Sequence, residues 1–144
     1  MENIVVGVDG SDASIAALGC AIDEASFRGV GVDAVHVWNL PALSGAETLG
    51  GSAVLPWEQL EASAHAIVEE TLAKVDARDV AVKSVVVQGS TAHELIEHSA
   101  GAPMLVVGSR GTGGFIGLLV GSVAHQVLHH APCPVLVVPA PKTD

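Results

Sequence analysis

Positive charge is what this sequence has least of. Six Lys and Arg stand against 16 Asp and Glu, a formal net charge of −10, and a surface of that sign repels phosphate backbones and anionic lipid headgroups. Nucleic acid and membrane are therefore not expected partners. An anionic ligand would have to be held locally, by backbone N–H groups rather than by a broad basic field. Cysteine is scarce as well: Cys20 and Cys133 are too few for a disulfide scaffold, and neither has a second cysteine or a close histidine pair beside it, so no metal-ligand spacing surrounds them. They read as reduced, mostly buried thiols of a cytoplasmic protein. A long hydrophobic run is also lacking. The longest, Gly113 to Ala124, falls well short of the roughly 20 residues of a membrane span. The opening "MENIVVGVDGS" has an acid at position 2 and an apolar run broken by Asp9, which is not the pattern of a secretory leader. A soluble, cytoplasmic chain is the expectation.

What is present is apolar and ordered. Of 144 residues, 49% are hydrophobic and 15% charged, a make-up far from that of disordered chains and suited to a single domain over 1–144 with one core. Short β-branched runs at Asn3 to Asp9, Val32 to Trp38, Val80 to Gln88, Pro103 to Ser109 and Cys133 to Pro139 predict strands. Several are apolar on both faces, as strands of a helix-covered parallel sheet are. Amphipathic stretches at Ser11 to Arg28, Pro56 to Arg78, Ser90 to Ala100 and Ser122 to His130 predict helices, with Ser11 or Asp12, Ser90 or Thr91, and Ser122 as N-caps and Gly29 and Gly101 as stops. The alternation β-α-β-α-β-α-β-α-β calls for right-handed crossovers and an α/β three-layer sandwich. One long irregular piece, residues 39–55, carries three glycines and a proline and reads as a flexible flap near the ligand edge of the sheet.

The stretch "GSRGTGGFIGLLVGS", Gly108 to Ser122, holds six glycines and one arginine. It runs from the end of a predicted strand to the start of a predicted helix. In an open α/β sheet, ligands bind beyond the carboxyl ends of the strands, and a glycine loop feeding a helix N-terminus makes a phosphate cradle. Familiar phosphate motifs fail, however. None of Lys74, Lys83 and Lys142 follows a glycine, which excludes a Walker loop, and the first strand leads into "GVDGSDAS" rather than a dinucleotide fingerprint.

The spacing Gly108-x2-Gly111-x9-Gly121-Ser122, followed by "VAHQVLHHAPCPVLVVP", resembles the universal stress protein family, specifically its ATP-binding branch. The likeness extends through "IVVGVDGSDASIAAL", "VHVW" and "GSTAHELIEHSAGAPMLVVGSRG" and so covers nearly the whole chain. It implies a five-stranded parallel sheet of order 3-2-1-4-5, Rossmann-like and akin to the adenine nucleotide alpha hydrolases, and a nucleotide pocket shared by the first two strands and the glycine loop. Gly7, Val8 and Asp9 would lie at the nucleoside end, Val37 against the adenine, and Gly108 under the ribose and α-phosphate. Gly111, Gly121, Ser122 and Val123 would hold the phosphates, mainly through backbone N–H groups. The resemblance also implies a homodimer paired through the C-terminal edge strand. Mg²⁺ would accompany ATP through the phosphates and Asp9. Two departures stand out. Thr112 and Gly113 occupy places where many members carry a basic residue, which leaves Arg110 the sole permanent cation between Ser84 and Pro141. Modest phosphate affinity follows.

Plainer roles compete with these. Asp9 could simply organise the turn into the first helix, and Arg110 could be a solvated loop charge. Of seven histidines, His36 lies in a strand and His65, His93, His98, His125, His129 and His130 fall on helices. For His129 and His130 the helix C-terminus is explanation enough, while His125, one turn into its helix, is structural with proton transfer to phosphate the alternative. No acid–base pair, nucleophile triad or metal cluster stands out, so slow hydrolysis at most is expected. The expected function is that of an ATP-binding, nucleotide-dependent stress-response module. The alternatives are a nucleotide-free dimeric interaction module and an enzyme acting at the α-phosphate of adenine nucleotides.

Overall fold

The computed structural model describes residues 2–39, 57–110 and 121–141. Nine elements alternate along them: β1 (Ile4–Gly7), α1 (Asp12–Arg28), β2 (Val32–Trp38), α2 (Trp57–Ala73), β3 (Val82–Gln88), α3 (Thr91–His98), β4 (Leu105–Gly108), α4 (Ser122–His130) and β5 (Val135–Val138). The strands form one sheet of order β3-β2-β1-β4-β5, parallel throughout, with Ile4 opposite Val32, Val5 opposite Leu105, Val32 opposite Val82 and Leu105 opposite Val135. The predicted strand order and the α/β three-layer arrangement are both found.

Period-2 alternation sends the side chains of each strand into two separate cores. Ile4, Val6, Val32, Ala34 and Val106 pack with Ala17, Leu18, Ala21 and Ile22 of α1 and Val68 of α2. On the opposite face Val5, Val35, Val37, Leu105 and Val107 pack with Ala92 and Leu95 of α3 and Ala124 and Val127 of α4. Burying an aliphatic side chain of this size contributes about 1.5–3 kcal/mol, so each face anchors its helices independently. The central strands are sealed, whereas β3 and β5 at the edges are partly exposed.

Local chemistry sets the ends of the helices, and several differ from the sequence-based expectation. Ser11 caps α1, its side chain accepting from the Ser14 N–H, and Gly29 closes that helix in the left-handed region. The expected reach of the second helix to Arg78 stops at Ala73. Beyond it the chain turns, with Arg78 at φ 53 and its N–H donating to Asp76 Oδ1. α3 ends at His98 rather than Ala100: the Ala100 N–H turns to the Glu97 carbonyl, three residues back, and Gly101 stands at φ 82, while fully buried Ser99 donates its hydroxyl to the Ile96 carbonyl. Ser90 occupies the N-cap of α3 without a side-chain hydrogen bond. In α4 the cap is Gly121, and Ser122, expected there, is the first helical residue. Most of the expected flap, and Gly111 with the centre of the glycine loop, lie outside the described residues.

Candidate functional site

In this strand order the chain leaves β1 toward β2 and leaves β4 toward β5, so the direction of winding reverses between the neighbours β1 and β4. α1, which follows β1, packs on one face, and α4, which follows β4, on the other. Beyond the carboxyl ends of these two strands lies the crevice where open α/β sheets bind ligands. The N-termini of α1 and α4, the positive ends of their dipoles, belong to the same edge. The fold gathers Gly7, Val8, Asp9, Gly108, Arg110, Gly121, Ser122 and Val123 around this point, with Val37 on the adjoining β2.

The β1 end is stitched closed by its own hydrogen bonds. Val8 is buried. Its N–H donates to the Val35 carbonyl at 2.9 Å, and its carbonyl lies 2.7 Å from Nδ1 of buried His36. A carbonyl only accepts, so that ring nitrogen carries the hydrogen. Asp9 Oδ1 accepts from the Ser11 N–H at 2.9 Å and from the Ser11 hydroxyl, and the Asp9 N–H donates to Ser14 Oγ at 3.2 Å. Asp9 therefore organises the turn into α1, as its plainer reading expects, and that turn holds its carboxylate at the sheet edge.

Two glycines here are explained by packing. A Cβ on Gly7 would stand 3.0 Å from a methyl of Leu95, and one on Gly108 would stand 2.8 Å from Ala13 Cβ and 2.9 Å from its carbonyl carbon. The missing side chains let α3 and the first turn of α1 sit directly on the strand ends. Val37 is 8% exposed and belongs to the core between the sheet and α3 and α4.

The β4 end is joined to both neighbours. The Ser109 N–H donates to the Val138 carbonyl at 2.8 Å, and the Ser109 carbonyl accepts from the Gly121 N–H. The first bond ties β4 to β5, and the second fixes the start of α4 against β4 without using the N–H groups of Ser122 and Val123. Gly121 has φ −69 and ψ 167 and makes no side-chain cap, and among the described residues no backbone carbonyl accepts from the Ser122 and Val123 N–H groups, whereas Ser11 caps α1. Ser122 and Arg110 are exposed at this end, and Val123 is half-buried.

Sequence reasoning missed an aromatic pair. Trp38, at the end of β2, meets Trp57, at the start of α2, edge to face with ring centroids 6.1 Å apart. Trp38 stands in the quoted "VHVW" and its position after Val37 was the available signal. His36 was equally visible, but its bond to Val8 was not. Among the described residues no group of three or more His, Cys, Asp or Glu is placed to hold a metal ion, and no helix is long and apolar enough to cross a membrane.

The universal stress protein family model matches residues 1–139. The universal stress protein Rv2623 of Mycobacterium tuberculosis is 41% identical over 136 residues, covering 93% of this chain and 44% of its own length, so this chain spans less than half of that relative. Among solved structures, the universal stress protein UspA of Lactobacillus plantarum is 28% identical with a TM-score of 0.70, covering 95% of this chain and 97% of that one. A universal stress protein in complex with cAMP is 26% identical with a TM-score of 0.67, covering 95% of each. With a Rossmann-like α/β sheet of order 3-2-1-4-5 and a family match along nearly its full length, the chain belongs to the universal stress protein family.

Proposed function

We propose that this chain binds ATP at the β1/β4 switch point and that occupancy of the site acts as a signal, with slow hydrolysis at most. The observation that carries the reading is the start of α4: the Gly121 N–H bonds the Ser109 carbonyl and ties the helix to β4, and its first turn has no side-chain cap. The N–H donors of such a turn, together with the dipole, suit a phosphate chain. They also suit a protein whose overall charge of −10 offers anions no long-range attraction. In this reading Ser122 and Val123 take phosphate through their backbone, the Ser122 hydroxyl adds a donor, and Arg110 supplies the positive charge. Gly121 and Gly111 let the phosphates approach the chain. Gly7, Val8, Asp9 and Val37 border the nucleoside. Mg²⁺ travels with the phosphates, with the Asp9 carboxylate held nearby by Ser11. The solved complex of a family member with cAMP supports an adenine nucleotide as the ligand class.

Nucleotide extracted from protein purified without added ligand, identified by mass spectrometry, tests the reading. ATP recovered in a fixed ratio to protein is the expected result. A nucleotide-free protein that also gives no calorimetric signal with ATP would leave only an interaction module.

A further inference from the structure

Helix α4 carries a histidine pair that the nucleotide reading does not use. His125 and His129 are one turn apart on the helix, both exposed, with ring centroids 4.6 Å apart and planes at 59°. His130 follows, its centroid 6.3 Å from that of His129. The backbone beneath is held at both ends, the His125 N–H donating to the Gly121 carbonyl and the Ala131 N–H to Val127, each at 2.9 Å. Buried Ala124 and Val127 fix the helix on the core. The two imidazoles are thus displayed side by side on a fixed frame.

Neutral imidazole is a ligand for zinc, copper and nickel. With metal–nitrogen bonds of about 2.1 Å, two rings bound at a right angle have centroids about 4.5 Å apart, and two bound at a tetrahedral angle about 5.2 Å apart. The observed 4.6 Å is short enough for both rings to reach one ion. We infer that His125 and His129 form a two-imidazole site for a divalent transition-metal ion, Cu²⁺ above the others by affinity. Water completes the coordination, since the described residues bring no third histidine, cysteine or carboxylate into a metal-holding group. Affinity runs in the order Cu²⁺ above Ni²⁺. Zn²⁺, which favours tetrahedral sites, binds more weakly than Cu²⁺. The acidic surface raises the local concentration of any cation. The site stands apart from the nucleotide reading and survives its failure.

Calorimetric titration of the whole chain with Cu²⁺ and Ni²⁺, compared with H125A, H129A and H130A, tests the assignment. One strong Cu²⁺ per chain is expected, weakened at least tenfold by H125A and by H129A and changed less than twofold by H130A. Undiminished binding in either H125A or H129A would overturn it. The three positions are exposed, and circular dichroism checks that each variant folds. Electron paramagnetic resonance of the wild-type Cu²⁺ complex gives an answer that needs no variant: coupling to two imidazole nitrogens supports the pair, and coupling to one or none contradicts it.

Discussion

Gly108, at the end of β4, and Ala13, in the first turn of α1, are in contact so close that a Cβ on Gly108 would stand 2.9 Å from the Ala13 carbonyl carbon. Both groups belong to the frame of the fold, so neither can yield as a flexible side chain would. Gly108→Ala should destabilise the nucleotide-free protein by about 1–3 kcal/mol, the usual cost of overpacking, seen as a lower urea midpoint at unchanged slope. A midpoint equal to that of the wild type would mean that the glycine serves only a ligand.

Cys20, on α1, has its thiol pushed above its ordinary value of 9.0 chiefly by burial, with the Asp23 and Glu24 carboxylates adding to the shift. The folded state favours the protonated thiol. Its contribution to stability is therefore complete below 9.0 and is lost as pH rises through the higher folded value. Only the thiolate is the nucleophile, so at neutral pH Cys20 should be alkylated by iodoacetamide far more slowly in the folded chain than in urea. Peptide mass spectrometry after timed quenching reads this directly. Equal rates in the two states would contradict the burial account.

β5 is a four-residue edge strand, and Val135, Leu136 and Val137 are only partly covered. Exposed backbone groups beside apolar side chains invite pairing with a second copy. Light scattering at micromolar concentration should give a dimer, and a lysine in place of Leu136 should shift it toward monomer. A monomeric wild type at that concentration would rule the pairing out.

A covered parallel sheet was legible because doubly buried strands such as "IVVG" and "LVVG" alternate with helices, whereas its order came from the family resemblance and not from the pattern. The Ser11 cap and the Gly29 stop were legible because each acts within a few residues of itself. Helix ends set by competition were not. The N–H groups of Lys74 and Ala100 bond carbonyls three residues back, to Thr71 and Glu97, tightening the last turns before the sequence pattern runs out. At the site, Asp9 and the start of α4 could be placed from their motifs. The His36 bond to Val8, the Gly108 contact with Ala13 and the Trp38–Trp57 pair depend on elements distant in sequence meeting in space, and no spacing encodes them.

If the start of α4 recognises phosphate, Gly121 is the residue that isolates the contact. Its φ of −69 and ψ of 167 are open to any residue, so Gly121→Val should change the nucleotide-free protein by no more than about 1 kcal/mol, through a poorer helix cap. Calorimetry of ATP and of adenosine, on wild type and variant stripped of nucleotide, is the measurement. ATP should bind the wild type and lose at least tenfold in the variant, about 1.4 kcal/mol, while adenosine, which has no phosphate, loses little. Equal losses for the two ligands, or no ATP binding to the wild type, would contradict phosphate recognition there.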